Sequence, residues 1–198
     1  MENRKLVLFD FDGTLTNRDT MLAFVEHCRG PYRYWLGMVW LLPLFVALRA
    51  GFVSATDAKR MFLRHFLGGM ERDQLEHAAR TFADRIEAWM RPMGRWQLAR
   101  HREDGDEVLI VSASLDLWLA PFLVAHGLRA LSTKAAFTED GRFEGELASP
   151  NCNGPEKVRR IREAVDLEAF SAITAYGDSR GDRDMLDLAD NPVYRPFR

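Results

Sequence analysis

The chain has 198 residues, enough to bury a hydrophobic core without disulfides or structural metals, and it favours one core domain with room for an insertion. Its 27 basic and 29 acidic residues leave a formal charge of −2, which offers no basic footprint for nucleic acid. Cys28 and Cys152 lie far apart and outside any C-x-x-C pair, which argues against a zinc site or redox motif and suits reduced thiols in a cytoplasmic protein; the N-terminus carries no long signal-peptide run.

The first element is a strand from Lys5 to Phe11, whose continuous apolar run Leu6-Val7-Leu8-Phe9 suits a parallel sheet covered on both faces. It runs into Asp10-Phe11-Asp12-Gly13-Thr14-Leu15-Thr16. Two carboxylates two residues apart at a strand end can face one pocket, and Gly13 permits the tight turn that follows. Their mutual repulsion is relieved by a divalent cation with oxygen ligands, and Mg²⁺ fits that description. Asp10 is then placed to attack phosphorus and Asp12 to handle the leaving-group proton. Taken alone, the pair reads rather as a solvated or calcium-like acidic turn.

Residues 17–90 follow a helical spacing, with Leu75, Ala79, Phe82, Ile86 and Met90 on one stripe and Trp89 beside it. This is a helical insertion, either a bundle that buries its own stripe or a lid that excludes water from the loop it springs from. Within it, Tyr34 to Leu48 is a run of 15 uncharged residues with two tryptophans and a central Pro43, flanked by Arg33 and Arg49. A spanning helix needs about 20 apolar residues, so the run is too short to cross a bilayer comfortably. It is expected to form a buried helix kinked at Pro43. Peripheral membrane contact through Tyr34 to Leu48 is the sharper alternative.

A helix follows from Pro92 to Arg102, then a strand from Glu107 to Val111 that ends at Ser112-Ala113-Ser114. A hydroxyl and backbone N–H groups at a helix start make a cradle for phosphate oxygens. Equally, Ser112 or Ser114 serves as the N-cap of the next helix, Asp116 to His126. Asp140-Gly141, between strand-like arms, predicts a β-hairpin before Leu147. The helix from Glu156 to Val165 carries Lys157 in its first turn, a cation for phosphoryl oxygens, with Arg159, Arg160 and Arg162 as rivals for the inward direction. A strand from Ala172 to Tyr176 runs into Gly177-Asp178-Ser179-Arg180-Gly181-Asp182, whose carboxylates complete an oxygen-rich site. Asp182 also reads as the N-cap of a helix reaching Ala189. Asn191-Pro192-Val193 begins a further strand that the remaining residues leave little room to extend, so the strand pattern is expected to be cut short there. The alternation predicts an α/β fold with a doubly wound parallel sheet, which binds ligands at the carboxyl ends of its strands.

The order D-x-D-x-T, Ser, Lys, G-D-x-x-x-D resembles the haloacid dehalogenase superfamily, and most closely its phosphoserine-phosphatase-like branch, over nearly the whole chain. The resemblance implies a Rossmann-like core of residues 1–16 and 91–198 with an α-helical cap of residues 17–90. It implies an Mg²⁺-dependent phosphomonoester hydrolase that works through an aspartyl-phosphate. Asp10 then stands as nucleophile and Asp12 as general acid and base. The metal ligands are the carboxylates of Asp10 and Asp178 with the backbone carbonyl of Asp12. Ser112, the Ala113 N–H and Lys157 hold the phosphoryl group, while Asp182 and Thr14 support the site. Asp19 occupies the acidic position that helps recognise the amino acid in phosphoserine phosphatases; its plainer reading is a helix N-terminal charge. Ser112-Ala113-Ser114 stands where those enzymes usually carry Ser-Gly-Gly, and Gly181 where asparagine commonly precedes the last aspartate. Serine phosphate is therefore not carried over as the substrate. The apolar cap segment is similar to that of phosphatases of the branch acting on phospholipid head groups, so the implied partners are a small phosphate ester or a lipid phosphate. A phosphotransferase to an alcohol, and a phosphate-binding protein without turnover, use the same residues and stand as alternatives.

Overall fold

The computed structural model describes residues 4–197. Strand β1 (Leu6–Phe9) is fully buried and sits at the centre of a five-stranded parallel sheet of order β3-β2-β1-β6-β7. β2 spans Glu107–Leu115, β3 Arg129–Thr133, β6 Ile173–Gly177 and β7 Asn191–Tyr194. The chain leaves β1 toward β2 and β3, then returns to β1's other side with β6, so the switch of direction falls between β1 and β6. The register pairs Phe9 with Ile110 on one side and with Tyr176 on the other. The residues after Phe9, Ile110 and Tyr176 therefore emerge side by side at the same edge. This juxtaposition builds the site.

Between β1 and the helix α5 (Pro92–Glu103) come α1 (Thr20–Trp40), α2 (Leu42–Arg49), α3 (Ala55–Leu67) and α4 (Arg72–Trp89). The α4 stripe Leu75, Ala79, Phe82 and Ile86 is fully buried and packs against α6 (Asp116–Ala125), one of the helices covering the sheet. The inserted helices and the sheet thus share one continuous apolar core, running from Phe9 and Phe11 through Trp118 and Phe24 to Phe82. The expected hairpin forms from β4 (Ala135–Phe137) and β5 (Phe143–Leu147). It docks on the α3–α4 turn: the N–H of Gly69 donates to Phe143 O, and the N–H of Arg72 to Gly141 O, each at 2.8 Å.

The remaining helices are α7 (Pro155–Ala164) and α8 (Arg183–Leu188), the latter preceded by a short 3-10 turn at Arg180–Asp182. Three local readings are corrected. β2 runs on through Leu115, past a register shift between Ser112 and Leu115, because the bulge turns the chain without ending the pairing with β3. The kink in the apolar run is not at Pro43: α1 bends at Gly30 (φ 75°), ahead of Pro31, and Pro43 sits in the first turn of α2, where a missing N–H disrupts nothing. The run is also not simply buried. Tyr34, Gly37 and Leu41 face inward, whereas Trp35, Leu36, Val39 and Trp40 face solvent. Gly37 lets α1 press onto α3, since a Cβ there would lie 2.3 Å from the Phe66 ring.

Candidate active site

Asp10, Asp12, Ser112, Ala113, Lys157, Asp19 and Asp182 line one cavity of about 260 Å³ at the carboxyl ends of β1, β2 and β6. Asp10 is held to the sheet by its own N–H, which donates to Tyr176 O at 2.9 Å. Its carboxylate accepts from Lys157 Nζ at 2.7 Å on one oxygen and from Thr14 Oγ1 at 2.9 Å on the other. Lys157, 1% exposed, spends its other two protons on Asp182 Oδ1 and Val111 O, both at 2.7 Å. Burial alone would depress its pKa, but the charges of Asp10 and Asp182 and the bonds to them raise it above the ordinary lysine value. None of the rival arginines points inward: Arg159 pairs with Glu156 and Glu163, Arg160 with Glu156 and the Ser132 carbonyl, and Arg162 is exposed.

The second oxygen of Asp182 accepts from the N–H groups of Asp178 and Ser179 and from Ser179 Oγ, at 2.7–3.1 Å. Asp182 therefore braces the loop after β6 rather than capping α8, with which its side chain makes no cap bond. Burial would raise its pKa, yet Lys157 and Ser179 hold it below the ordinary carboxylate value. Gly13 brings the first motif against this loop: it takes φ 84°, and a Cβ there would lie 2.7 Å from Asp178 Oδ2.

Asp12 accepts from the Thr20 N–H at 2.6 Å and from Ser114 Oγ at 2.6 Å. Ser114 Oγ also lies 3.1 Å from Thr20 Oγ1, which accepts from Trp118 Nε1 at 3.1 Å. Because an indole N–H only donates, the run of bonds points from Trp118 through Thr20 and Ser114 to Asp12. The Ser114 N–H donates to Ser112 Oγ at 3.0 Å, and neither serine bonds the start of α6, so the N-cap reading of the pair is set aside. Ser112 still has its hydroxyl proton to give. Asp19 is exposed at the mouth and does cap α1, accepting from the Leu22 N–H at 3.0 Å.

Burial pushes the Asp10 carboxyl up to about 6, against the opposing pull of Lys157. Burial together with the charge of Asp19 pushes Asp12 to about 7, against its bonds from Ser114 and Thr20. Burial thus holds both carboxyls above the ordinary range, and the two differ in partners: Asp10 is bonded to the Lys157 cation, as suits a nucleophile, and Asp12 to neutral donors, as suits a general acid.

Oxygens of Asp10, Asp178 and Asp182 all lie within 4.8 Å of one another. An all-carboxylate set of this spacing fits a hard divalent cation such as Mg²⁺.

Lys59, Asn153 and Met21, which sequence reasoning did not single out, also line the cavity. Lys59 reaches over from α3 to donate to Asn151 Oδ1 at 2.8 Å and to the Ala113 carbonyl. Burial brings its pKa down to about 8 against the attraction of Asp12 and Asp19. Asn153 fills the space beside Gly181, where a Cβ would lie 1.9 Å from the Asn153 amide oxygen. The missing asparagine at position 181 and the asparagine at 153 therefore occupy overlapping space. A lysine on a distant helix has no sequence signal; Asn153, just before Gly154-Pro155, had a weak one.

The model of haloacid dehalogenase-like hydrolases matches residues 7–187. The chain belongs to that family. It is 39% identical over 197 residues to Protein CicA of Caulobacter vibrioides, covering 98% of this chain and 86% of that one. It is 23% identical over 217 residues to a histidinol-phosphatase of Neisseria meningitidis serogroup C, covering 96% and 89%. The solved substrate complex of a phosphoserine phosphatase superposes with a TM-score of 0.70 at 17% identity, over 98% of this chain and 86% of that one. This hydrolase shares its doubly wound fold with the phosphoserine-phosphatase-like branch.

Proposed function

We propose that this hydrolase is a phosphatase that uses Mg²⁺ and cleaves phosphate monoesters through a phosphoryl-Asp10 intermediate. The observation that carries the reading is the buried contact of Asp10 with Lys157 in the same cavity as a second carboxylate, Asp12, that bonds only neutral donors. Mg²⁺ held by Asp10, Asp178 and the Asp12 carbonyl supplies positive charge against which a dianionic phosphate can approach a carboxylate. Lys157, Ser112 and the Ala113 N–H hold the phosphoryl oxygens. An Asp10 oxygen attacks phosphorus in line and the ester P–O bond breaks, its oxygen taking the proton of Asp12. Asp12 then accepts a proton from water as the water oxygen attacks phosphorus, releasing inorganic phosphate and restoring Asp10. Residues 17–90 act as the cap, with Asp19 and Lys59 at the mouth to read the leaving group. Reduced Cys28 and Cys152 accord with a cytoplasmic enzyme.

A cavity of about 260 Å³ takes a phosphate and a small head, so we assign small phosphate esters as substrates. The exposed apolar face of α1 and α2 favours a second reading, a lipid head-group phosphate whose chains stay outside the cavity. The test is a panel of soluble and lipid phosphates with Mg²⁺, with EDTA, and with alcohol acceptors. Cleavage abolished by EDTA and by Asp10→Asn, in a variant with an unchanged circular dichroism spectrum, is expected. Full turnover by Asp10→Asn overturns the assignment. No cleavage of any ester supports a binding protein, and phosphorylated alcohol as main product supports a transferase.

A further inference from the structure

The second half of α1 carries two apolar stripes. Tyr34, Gly37 and Leu41 pack inward, while Tyr32, Trp35, Leu36, Val39 and Trp40 repeat at threes and fours on the solvent side. Trp35 is 63% exposed and Trp40 75%, and Val46 and Phe52 continue the patch beyond the break at Leu41. A surface helix of a globular protein carries polar residues on that side. Contiguous apolar exposure of this kind marks an interaction site. A groove of about 740 Å³ opens in it, lined by Leu36, Trp40 and Phe66 with Arg29 and Arg33.

The charge of the segment identifies the partner. From Glu26 to Asp57 the sequence holds no other acidic residue but has Arg29, Arg33 and Arg49. Arg33 and Arg49 are exposed and make no ion pair among the described residues. Tryptophan and tyrosine beside arginine are the residues that settle at the boundary between lipid head groups and acyl chains. Association of two copies through this face would bring like charges together across a two-fold axis, which disfavours a dimer. From Pro31 to Trp40 the helix is about 15 Å long, suited to lying in the interface and unable to cross it. No helix among the described residues is long and apolar enough to span a membrane.

We propose that the outer face of α1 and α2 docks this enzyme on an anionic lipid bilayer, with Trp35, Trp40 and Phe52 inserted at the head-group level and Arg33 and Arg49 on the lipid phosphates. The inference does not depend on the chemistry assigned to Asp10, because binding is read without turnover.

The test is co-sedimentation of the full chain with phosphatidylglycerol vesicles and with phosphatidylcholine vesicles, at low and high salt. Binding to phosphatidylglycerol that weakens with salt is expected, with at least tenfold weaker binding to phosphatidylcholine. The pair Trp35→Ser and Trp40→Ser should lose at least tenfold in partitioning. Arg33→Gln with Arg49→Gln should lose roughly fivefold for each charge removed. All variants should keep the wild-type circular dichroism spectrum and melting temperature, which reports that they are folded. Failure of the wild type to sediment with phosphatidylglycerol, or wild-type binding by both pairs of variants, overturns the proposal. So does a concentration-dependent dimer in light scattering that the tryptophan pair abolishes, since the face would then belong to a second copy.

Discussion

Replacing Lys157 by methionine isolates the electrostatic centre of the molecule. The apolar stem keeps its packing, while three contacts of 2.7 Å to Asp10, Asp182 and Val111 O disappear from a residue that is 1% exposed. Removing one partner of a buried pair typically costs about 3–5 kcal/mol, because the other charge is left without compensation. Here two carboxylates remain, with oxygens within 4.8 Å of each other. At an effective dielectric of about 20 their repulsion is roughly 3 kcal/mol, consistent with that range. The cost depends on pH in a definite direction. Wild-type Lys157 is held above its ordinary value and stays charged between pH 5 and 8, so its own titration adds nothing over that window. Asp10 already has a pKa near 6 with the lysine in place, and without it the value rises further. At pH 5 the variant can protonate Asp10 and relieve the repulsion; at pH 8 doing so is more difficult. Urea denaturation in EDTA should therefore show Lys157→Met destabilised by about 4 kcal/mol at pH 8 and by visibly less at pH 5, with an unchanged m-value. Asp182→Asn in the same background should recover part of the loss at pH 8. A cost under about 1 kcal/mol at pH 8, or equal costs at both pH values, would refute this account of the site.

Three further outcomes follow from the same geometry. In the metal-free protein the stability gained by protonating Asp10 and Asp12 is fully present below the unfolded carboxylate value of about 3.9 and is lost as pH rises through about 6 and about 7. Mg²⁺ should therefore raise the melting temperature more at pH 8 than at pH 5, and equal shifts would count against carboxylate ligation. Gly13→Ala combines φ 84° with a Cβ 2.7 Å from Asp178 Oδ2, and should lower stability by at least about 1–2 kcal/mol and reduce Mg²⁺ affinity, read by the Mg²⁺ dependence of turnover. Gly181→Ala should weaken stability by about 1 kcal/mol alone and by less in an Asn153→Ala background, because the new methyl meets the Asn153 amide; strictly additive effects in a double-mutant cycle would contradict that contact.

What could be read from the sequence divides along physical lines. β1, β2 and β6 were legible because parallel strands buried over most of their length need apolar runs, and each run leads into residues of the candidate site. The α4 stripe was legible because one of its faces is buried and the others are not. β3 was not, since an edge strand beginning at the exposed Arg129 has neither an apolar run nor clean alternation. The direction faced by Tyr34 to Leu48 was hidden for a different reason. Hydropathy reports that a run is apolar but not which of its sides finds a partner, and here only Tyr34, Gly37, Leu41 and Leu44 are buried. Lys59 was silent because no spacing links α3 to the strand ends; only folding the helix over the sheet brings its amine to the Ala113 carbonyl. Position 181 shows the same limit, since the space beside Gly181 is filled by Asn153 from another segment.

The two features with most bearing on substrate choice are joined by α3. Lys59, near its start, enters the small polar cavity, while His65 and Phe66, near its end, line the larger apolar groove. The two ends lie about 10 Å apart along the helix axis. Asp19, Met21 and Lys59 line the cavity from the inserted segment, and on the proposed function they are the residues that read the leaving group. Tyr34 and Gly37 of α1 pack on Phe66 of α3, so the helix that carries Lys59 also lies under the outer surface, away from Asp10, Asp178 and Lys157. On the proposed function, chemistry and choice of substrate fall to different parts of the chain, the first to strand ends fixed in the sheet and the second to a helix packed beneath the outer surface.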